Sequence, residues 1–142
     1  MAIDRQADIA LLRVAIRSLA ETWIATVTQQ LGKHFPGLAL TKIAETLRTA
    51  ERQEEAYRDG SSRFQDGFHC YGMAWDFACF DDRGIYIKTG EHPYYTKCGL
   101  IAESLGLTWG GSWIRKDYDH VQVAGFTLQQ LKNGEKTGAV VA

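Results

Sequence analysis

One eight-residue stretch constrains this chain more than any other. Met73-Ala-Trp-Asp-Phe-Ala-Cys-Phe80 is apolar on both faces except at Asp76. Such a run is the pattern of a central strand covered on two sides, so the chain must supply layers above and below it. The carboxylate in its middle is expensive to bury unless it is paired or bound to a cation. Any chemistry is therefore to be sought around that charge.

The covering layers can be read on either side of the strand. Leu12, Ile16, Leu19, Trp23, Val27 and Leu31 recur at spacings of three and four, which predicts an amphipathic helix over residues 4–32. Asp4 is placed to cap it, Gly32 and Pro36 to end it, and His34 falls in the solvated loop beyond. Residues 38–47 read as a strand, 49–59 as a short helix closed by Gly60, and 61–67 as loop. Asp81-Asp-Arg-Gly84 is a turn into a second hairpin strand over 85–88. A helix over 94–105 ending at Gly106, a strand over 119–124 and a helical turn over 128–131 follow, and the tail from Asn133 is expected to fray. Fourteen glycines and sixteen aromatics argue against a plain helical bundle, and 142 residues suit one domain. The division expected is an N-terminal helix and loop (1–36), a core (37–126) and a tail (133–142).

Several function classes drop out. A net charge of −1 lacks the basic footprint of a nucleic-acid binder. The apolar run Ile9-Ala-Leu-Leu12 stops at Arg13, too short for a secretory signal or a membrane span. The expectation is a protein made in the cytoplasm without a signal peptide, with no stable membrane insertion. Cys70, Cys79 and Cys98 form no CxxC pair, so reduced thiols are expected, with a Cys79–Cys98 bond as the alternative.

His69 lies seven residues before Asp76, across a turn at Gly72. In Asp119-His-Val-Gln-Val123, alternation sets His120 and Gln122 on the face opposite Val121 and Val123. Two histidines and an aspartate offer three N/O ligands, and three ligands with an open position is the catalytic form of a zinc site. Spacing alone leaves two other readings open: a hydrogen-bonded core histidine, and a buried aspartate serving a turn. Competing nucleophiles are weak. Cys70 points away from the adjacent His69 in an extended chain, and His92 sits in a loop before Pro93.

The wording around these residues adds more. His69-x-x-Gly72-x-Ala74-x-Asp76, followed by Asp117-x-x-His120-x-Gln122, resembles the zinc D-alanyl-D-alanine carboxypeptidase and L-alanyl-D-glutamate endopeptidase family, which includes vancomycin-resistance dipeptidases and phage endolysins. Arg48-Thr49 with Gln53 is similar to the family's Arg-Ser/Thr-x-x-x-Gln segment, and Trp109-Gly-Gly-Ser-Trp113 to its Trp-Gly-Gly-x-Trp element. The likeness spans about residues 38–124. The family usually has Ser two residues before the first ligand, where this chain has Gly67, which takes a hydroxyl from the site margin.

The resemblance implies an α+β fold, a small central antiparallel sheet with flanking helices. It implies one Zn²⁺ per chain on His69, Asp76 and His120, with Asp117 as general base and acid and Arg48 as partner to the oxyanion. Asp119 is the rival acid, but alternation against His120 should point it away. Trp109, Trp113 and Gln122 are the candidate substrate contacts, with core packing an equal reading for the two tryptophans. The expected activity is cleavage of the L-alanyl-D-glutamate bond of the peptidoglycan stem peptide by a monomer, reaching the wall through a holin or a secretion machine. The alternatives are D-Ala-D-Ala carboxypeptidase activity and a non-catalytic, hedgehog-like zinc domain. Compactness between Asp76 and Trp109, with Lys88 and Lys97 as the clearest cations, favours an open groove and hence the endopeptidase.

Overall fold

The computed structural model describes residues 7–30, 37–60, 67–88 and 93–132. The expected ends of the first helix (Asp4, Leu31, Gly32, Pro36), His34, most of the 61–67 loop, His92 and the tail from Asn133 lie outside them. The order is α1 (Val14–Gln30), β1 (Leu40–Glu45), α2 (Ala50–Arg58), β2 (Ala74–Phe80), β3 (Tyr86–Ile87), α3 (Pro93–Ser104), β4 (Thr108–Trp109), β5 (His120–Gln122) and α4 (Leu128–Lys132). The fold class is α+β, as expected. Every strand pairing is antiparallel, in the order β1-β2-β5-β4, with β3 also on β2.

The central strand is β2, and its two faces go to different uses. Trp75, Phe77 and Cys79 alternate onto one face. There α1 and α3 cover them: Trp23 packs on Trp75 and Phe77, and Phe77 stacks on Tyr95. The Trp23 indole N–H, fully buried, donates to the carbonyl of Cys98 at 3.0 Å, so burial leaves that donor satisfied. Cys79 and Cys98 are buried in this core, and all three cysteines are reduced thiols, outside any disulfide. Asp76 and Ala78 point to the opposite face, toward α2.

The N-terminal helix starts later than the periodicity predicts. Asp8 caps a 3₁₀ turn at Ile9–Leu11, accepting from the amide of Ala10, and Leu12 is extended. Arg13 then donates its amide to Gly72 O at 2.9 Å and its Nε to Tyr71 O at 3.1 Å. These bonds tie the chain to the turn that follows His69, and α1 begins only at Val14. Its buried stripe is Ile16, Ala20, Trp23 and Val27, with Leu12 buried just ahead of it and Leu19 only partly covered. No described helix is long and apolar enough to cross a membrane.

Two short features escaped the sequence reading. Strand β4 is a two-residue strand pairing Trp109 with Val121. His69 sits on a 3₁₀ turn (Phe68–Tyr71) closed by Gly72 at φ 68°, where the left-handed backbone suits glycine.

Candidate metal centre

Register brings the polar residues together. Asp76 on β2 pairs directly with His120 on β5, so their side chains stand side by side on the α2 face. A bulge in β1 adds another acid: Ile43 pairs with Phe77, but Glu45 pairs with Asp76. In regular alternation Glu45 would share the core face with Ile43; the extra residue turns it to the Asp76 side. The third contributor, His69, arrives from its 3₁₀ turn, which Arg48 N–H anchors by donating to His69 O at 2.9 Å.

His69 Nε2 and His120 Nδ1 approach the same oxygen, Asp76 Oδ1, at 3.1 and 3.2 Å. One ligand atom from each of the three residues lies within 4.8 Å of the others. Outer partners set the tautomers. His69 Nδ1 faces Thr46 O at 2.8 Å, and a carbonyl only accepts, so Nδ1 carries the hydrogen and Nε2 a lone pair. His120 Nε2 likewise faces Gln122 Oε1 at 2.8 Å, leaving the Nδ1 lone pair turned inward. Two lone pairs and a carboxylate oxygen therefore converge with no hydrogen between neutral rings. A divalent cation satisfies that donor set, and the outer bonds are those that orient metal-binding histidines.

Buried ion pairs hold the second Asp76 oxygen. Arg48 donates to Asp76 Oδ2 at 3.2 Å, to Glu45 Oε1 at 2.8 Å and to Gln53 Oε1 at 3.1 Å. Arg52 donates from Nε to Glu45 Oε2 at 3.0 Å and from Nη1 to Glu55. Thr49 caps α2 by accepting from the Arg52 amide, which sets that helix over the site. Burial alone would raise the Asp76 carboxyl; with the rings protonated in place of a bound cation, the His69 charge and hydrogen bonds from His120 and His69 outweigh burial and hold it well below the usual range. Burial opposes the charge on Arg48 too, and Glu45 and Asp76 outweigh it, so its pKa rises.

These groups line an open cleft of about 710 Å³. Asp117, Trp113 and Gln122 border it, as the sequence reading expected of site residues. The Trp113 ring stands 5.3 Å from that of His120. Asp117 is fixed through its backbone: its amide donates to Gly110 O at 3.0 Å, and a side chain at Gly110 would collide with the Asp117 carbonyl.

Three expectations are corrected. Asp119 does not point away. It precedes the first residue of β5, in a turn where strand alternation does not hold, and it borders the cleft. Burial, the nearby Asp76 charge and a hydrogen bond with Asp117 push its carboxyl up to about 9. Trp109 is no cleft wall. Pairing with Val121 puts it on the core face, its ring lies against Gly99 and Gly111, and its Nε1 donates to Tyr118 O at 2.7 Å. It thereby braces the turn that carries Asp117 and Asp119. The cations at the cleft are Arg48, Arg52, Arg115 and Lys116, in place of Lys88 and Lys97.

The fold and donor set define an α+β chain with a His–Asp–His centre of the kind metal-dependent hydrolases use. A family model described as D-alanyl-D-alanine carboxypeptidase matches residues 60–123, the stretch from before His69 to just past Gln122. The chain is 32% identical over 98 residues to the peptidoglycan L-alanyl-D-glutamate endopeptidase CwlK of Bacillus subtilis (strain 168), covering 57% of this chain and 59% of that protein. It is 35% identical over 75 residues to the L-alanyl-D-glutamate peptidase of Listeria phage A118, covering 50% of this chain and 25% of that protein. The crystal structure of the L-Ala D-Glu endopeptidase ChiX from Serratia marcescens superposes with a TM-score of 0.50 at 28% identity, over 59% of this chain and 66% of that one. The resemblance to the D-Ala-D-Ala carboxypeptidase and L-alanyl-D-glutamate endopeptidase family is thus borne out, and the family is metal-dependent. The chain spans about three-fifths and one-quarter of the lengths of the two curated relatives.

Proposed function

We propose that this chain is a zinc-dependent peptidoglycan hydrolase that cleaves the L-alanyl-D-glutamate bond of the stem peptide. The observation that carries the reading is the convergence of His69, Asp76 and His120 on one point of an open cleft bordered by three further carboxylates, those of Glu45, Asp117 and Asp119. The names of the three relatives support the choice of bond.

Zinc suits the donor set of two imidazole nitrogens and one carboxylate; when bound, it supplies Lewis acidity toward the scissile carbonyl and the attacking water. The chain's own residues then do the proton work. Asp117 accepts a proton from the water and returns it to the leaving amine. Asp119, hydrogen-bonded to Asp117, holds that carboxylate toward the cleft. Arg48 keeps Asp76 oriented through Oδ2, and its charge faces the oxyanion that develops on the carbonyl. Trp113 and Gln122 flank the bound peptide, and Gln122 also fixes the His120 ring. We assign this chemistry to a single peptidase domain acting as a monomer on the cell wall, after release by a holin or secretion machinery.

Mass spectrometry of digested sacculi tests the reading. The endopeptidase frees peptides that begin at D-Glu and leaves L-Ala on the muramyl group. The second reading, D-Ala-D-Ala carboxypeptidase, is favoured by the description of the matching family and requires free D-Ala as the product. Release of D-Ala alone would establish that reading in place of the first.

A further inference from the structure

Four cations border the cleft, and they differ in what they already hold. Arg48 and Arg52 are buried and already ion-paired with Glu45, Asp76 and Glu55. Arg115 and Lys116 are exposed, and no ion pair among the described residues involves either. They immediately precede Asp117, so the Lys116 and Asp117 Cα atoms are about 3.8 Å apart across a trans peptide. The acids on the floor of the cleft are Glu45 and Asp76, which Arg48 and Arg52 pair, and Asp117 and Asp119. Among the described cleft residues, unpaired positive charge therefore stands at the rim, where it attracts an anionic group.

We propose that Arg115 and Lys116 read a carboxylate on the substrate, and that this carboxylate is the one a glutamyl residue keeps beside the scissile bond. The inference rests on the endopeptidase reading. A glutamyl residue within a chain spends its amine and one carboxyl on amide bonds and retains the other carboxyl. Cleavage on its amino side brings that group within one residue of the acid, and the two cations stand one and two residues from Asp117. The neutral amide then sits over the floor and the charge at the rim, which fixes the direction in which the peptide lies. Amidation of the carboxylate removes the charge while preserving shape, so the rim discriminates stem peptides by amidation state.

The test uses the zinc-loaded full chain and two synthetic N-acylated L-Ala–D-Glu stem peptides, one with the free glutamyl carboxylate and one with the carboxamide. The wild type should cleave the carboxylate peptide with kcat/KM about 3- to 5-fold higher, the usual scale for an exposed ion pair. Arg115→Gln/Lys116→Gln should erase that preference by slowing the carboxylate peptide alone, with metal content and Tm unchanged. Added salt should narrow the preference as well, because both cations are exposed. Binding gives an independent readout: Asp117→Asn should hold the carboxylate peptide more tightly than the carboxamide. Equal kcat/KM for the two peptides in the wild type, or equal loss on both in the double variant, overturns the inference and leaves the endopeptidase reading intact. Cleavage of neither peptide by the zinc-loaded wild type overturns the endopeptidase reading itself.

Discussion

The two faces of β2 use the same backbone for opposite ends. On one face, Trp75, Phe77 and Cys79 are buried against α1 and α3, and burial of apolar surface there stabilises the fold. On the other, Asp76 gathers two histidines, and Arg48 and Glu45 join them in a buried network. Such a network gains little over a well-packed apolar cluster, and removing one partner strands the rest. The apolar face therefore carries stability, and the polar face is retained for its chemistry. Strand alternation separates the two, and only the bulge in β1 crosses the divide by delivering Glu45 to the polar side.

The sharpest way to break this division is to empty the polar face. His120→Ala removes one of three proposed ligands and should cost essentially all activity and most of the zinc, while the apolar face keeps the chain folded. Elemental analysis of protein purified without added metal checks this beside circular dichroism. Stoichiometric zinc in both His69→Ala and His120→Ala would remove the metal centre.

Asp117→Asn separates chemistry from metal binding on the same face. It preserves shape but cannot accept a proton, so zinc should stay while turnover falls by roughly 10²–10⁴-fold, the usual worth of a positioned acid/base. Asp119→Asn should cost less, since its proposed part is to orient Asp117. The reverse ranking of the two variants in steady-state assays would exchange their roles.

These contrasts also explain how far the sequence could be read. The apolar stripe of α1, the two-sided burial of β2 and the alternation at His120 are local patterns, and local patterns survive in a sequence. Asp76 was visible because a lone charge in an apolar strand violates its surroundings. Glu45 and Arg52 were missed because their role depends on a register shift between β1 and β2, and nothing in Leu40–Glu45 marks where the extra residue falls. The direction of Asp119 was misread because alternation was extended one residue beyond the strand. Trp109 held two readings until its pairing with Val121 decided for the core, which a two-residue strand gives no periodicity to reveal.

Packing tolerance gives a smaller test, this time from the apolar side. The Trp109 ring lies where side chains at Gly99 and Gly111 would be. Gly111→Ala forces a Cβ into that ring, and overpacking of a filled core costs roughly 1–3 kcal/mol. Because Trp109 Nε1 also holds Tyr118 O, the turn bearing Asp117 should shift. Thermal unfolding should show the loss of stability, and kcat should fall with zinc still bound. An unchanged Tm would mean that the ring has room to move, and the contrast in packing between the faces would weaken.

The smallest expected effect lies at Gly67, on the polar side. Its φ of −168° is extended backbone open to any residue, and an added Cβ would come no closer than 3.9 Å to Gln53 Oε1. The cleft therefore has space where the core has none, and Gly67→Ser should change stability by less than about 0.5 kcal/mol. The new hydroxyl would stand at the cleft margin beside Gln53, which already accepts from Arg48. Since the hydroxyl touches neither the proposed ligands nor Asp117, it should alter KM by a few-fold at most and leave kcat and zinc content alone. Paired melting curves for Gly67→Ser and Gly111→Ala, each one small addition at a glycine, measure the difference in slack between the two faces. Equal losses of Tm would erase that difference; a loss confined to Gly111→Ala would establish the polar face as the part of the molecule free to vary with its substrate.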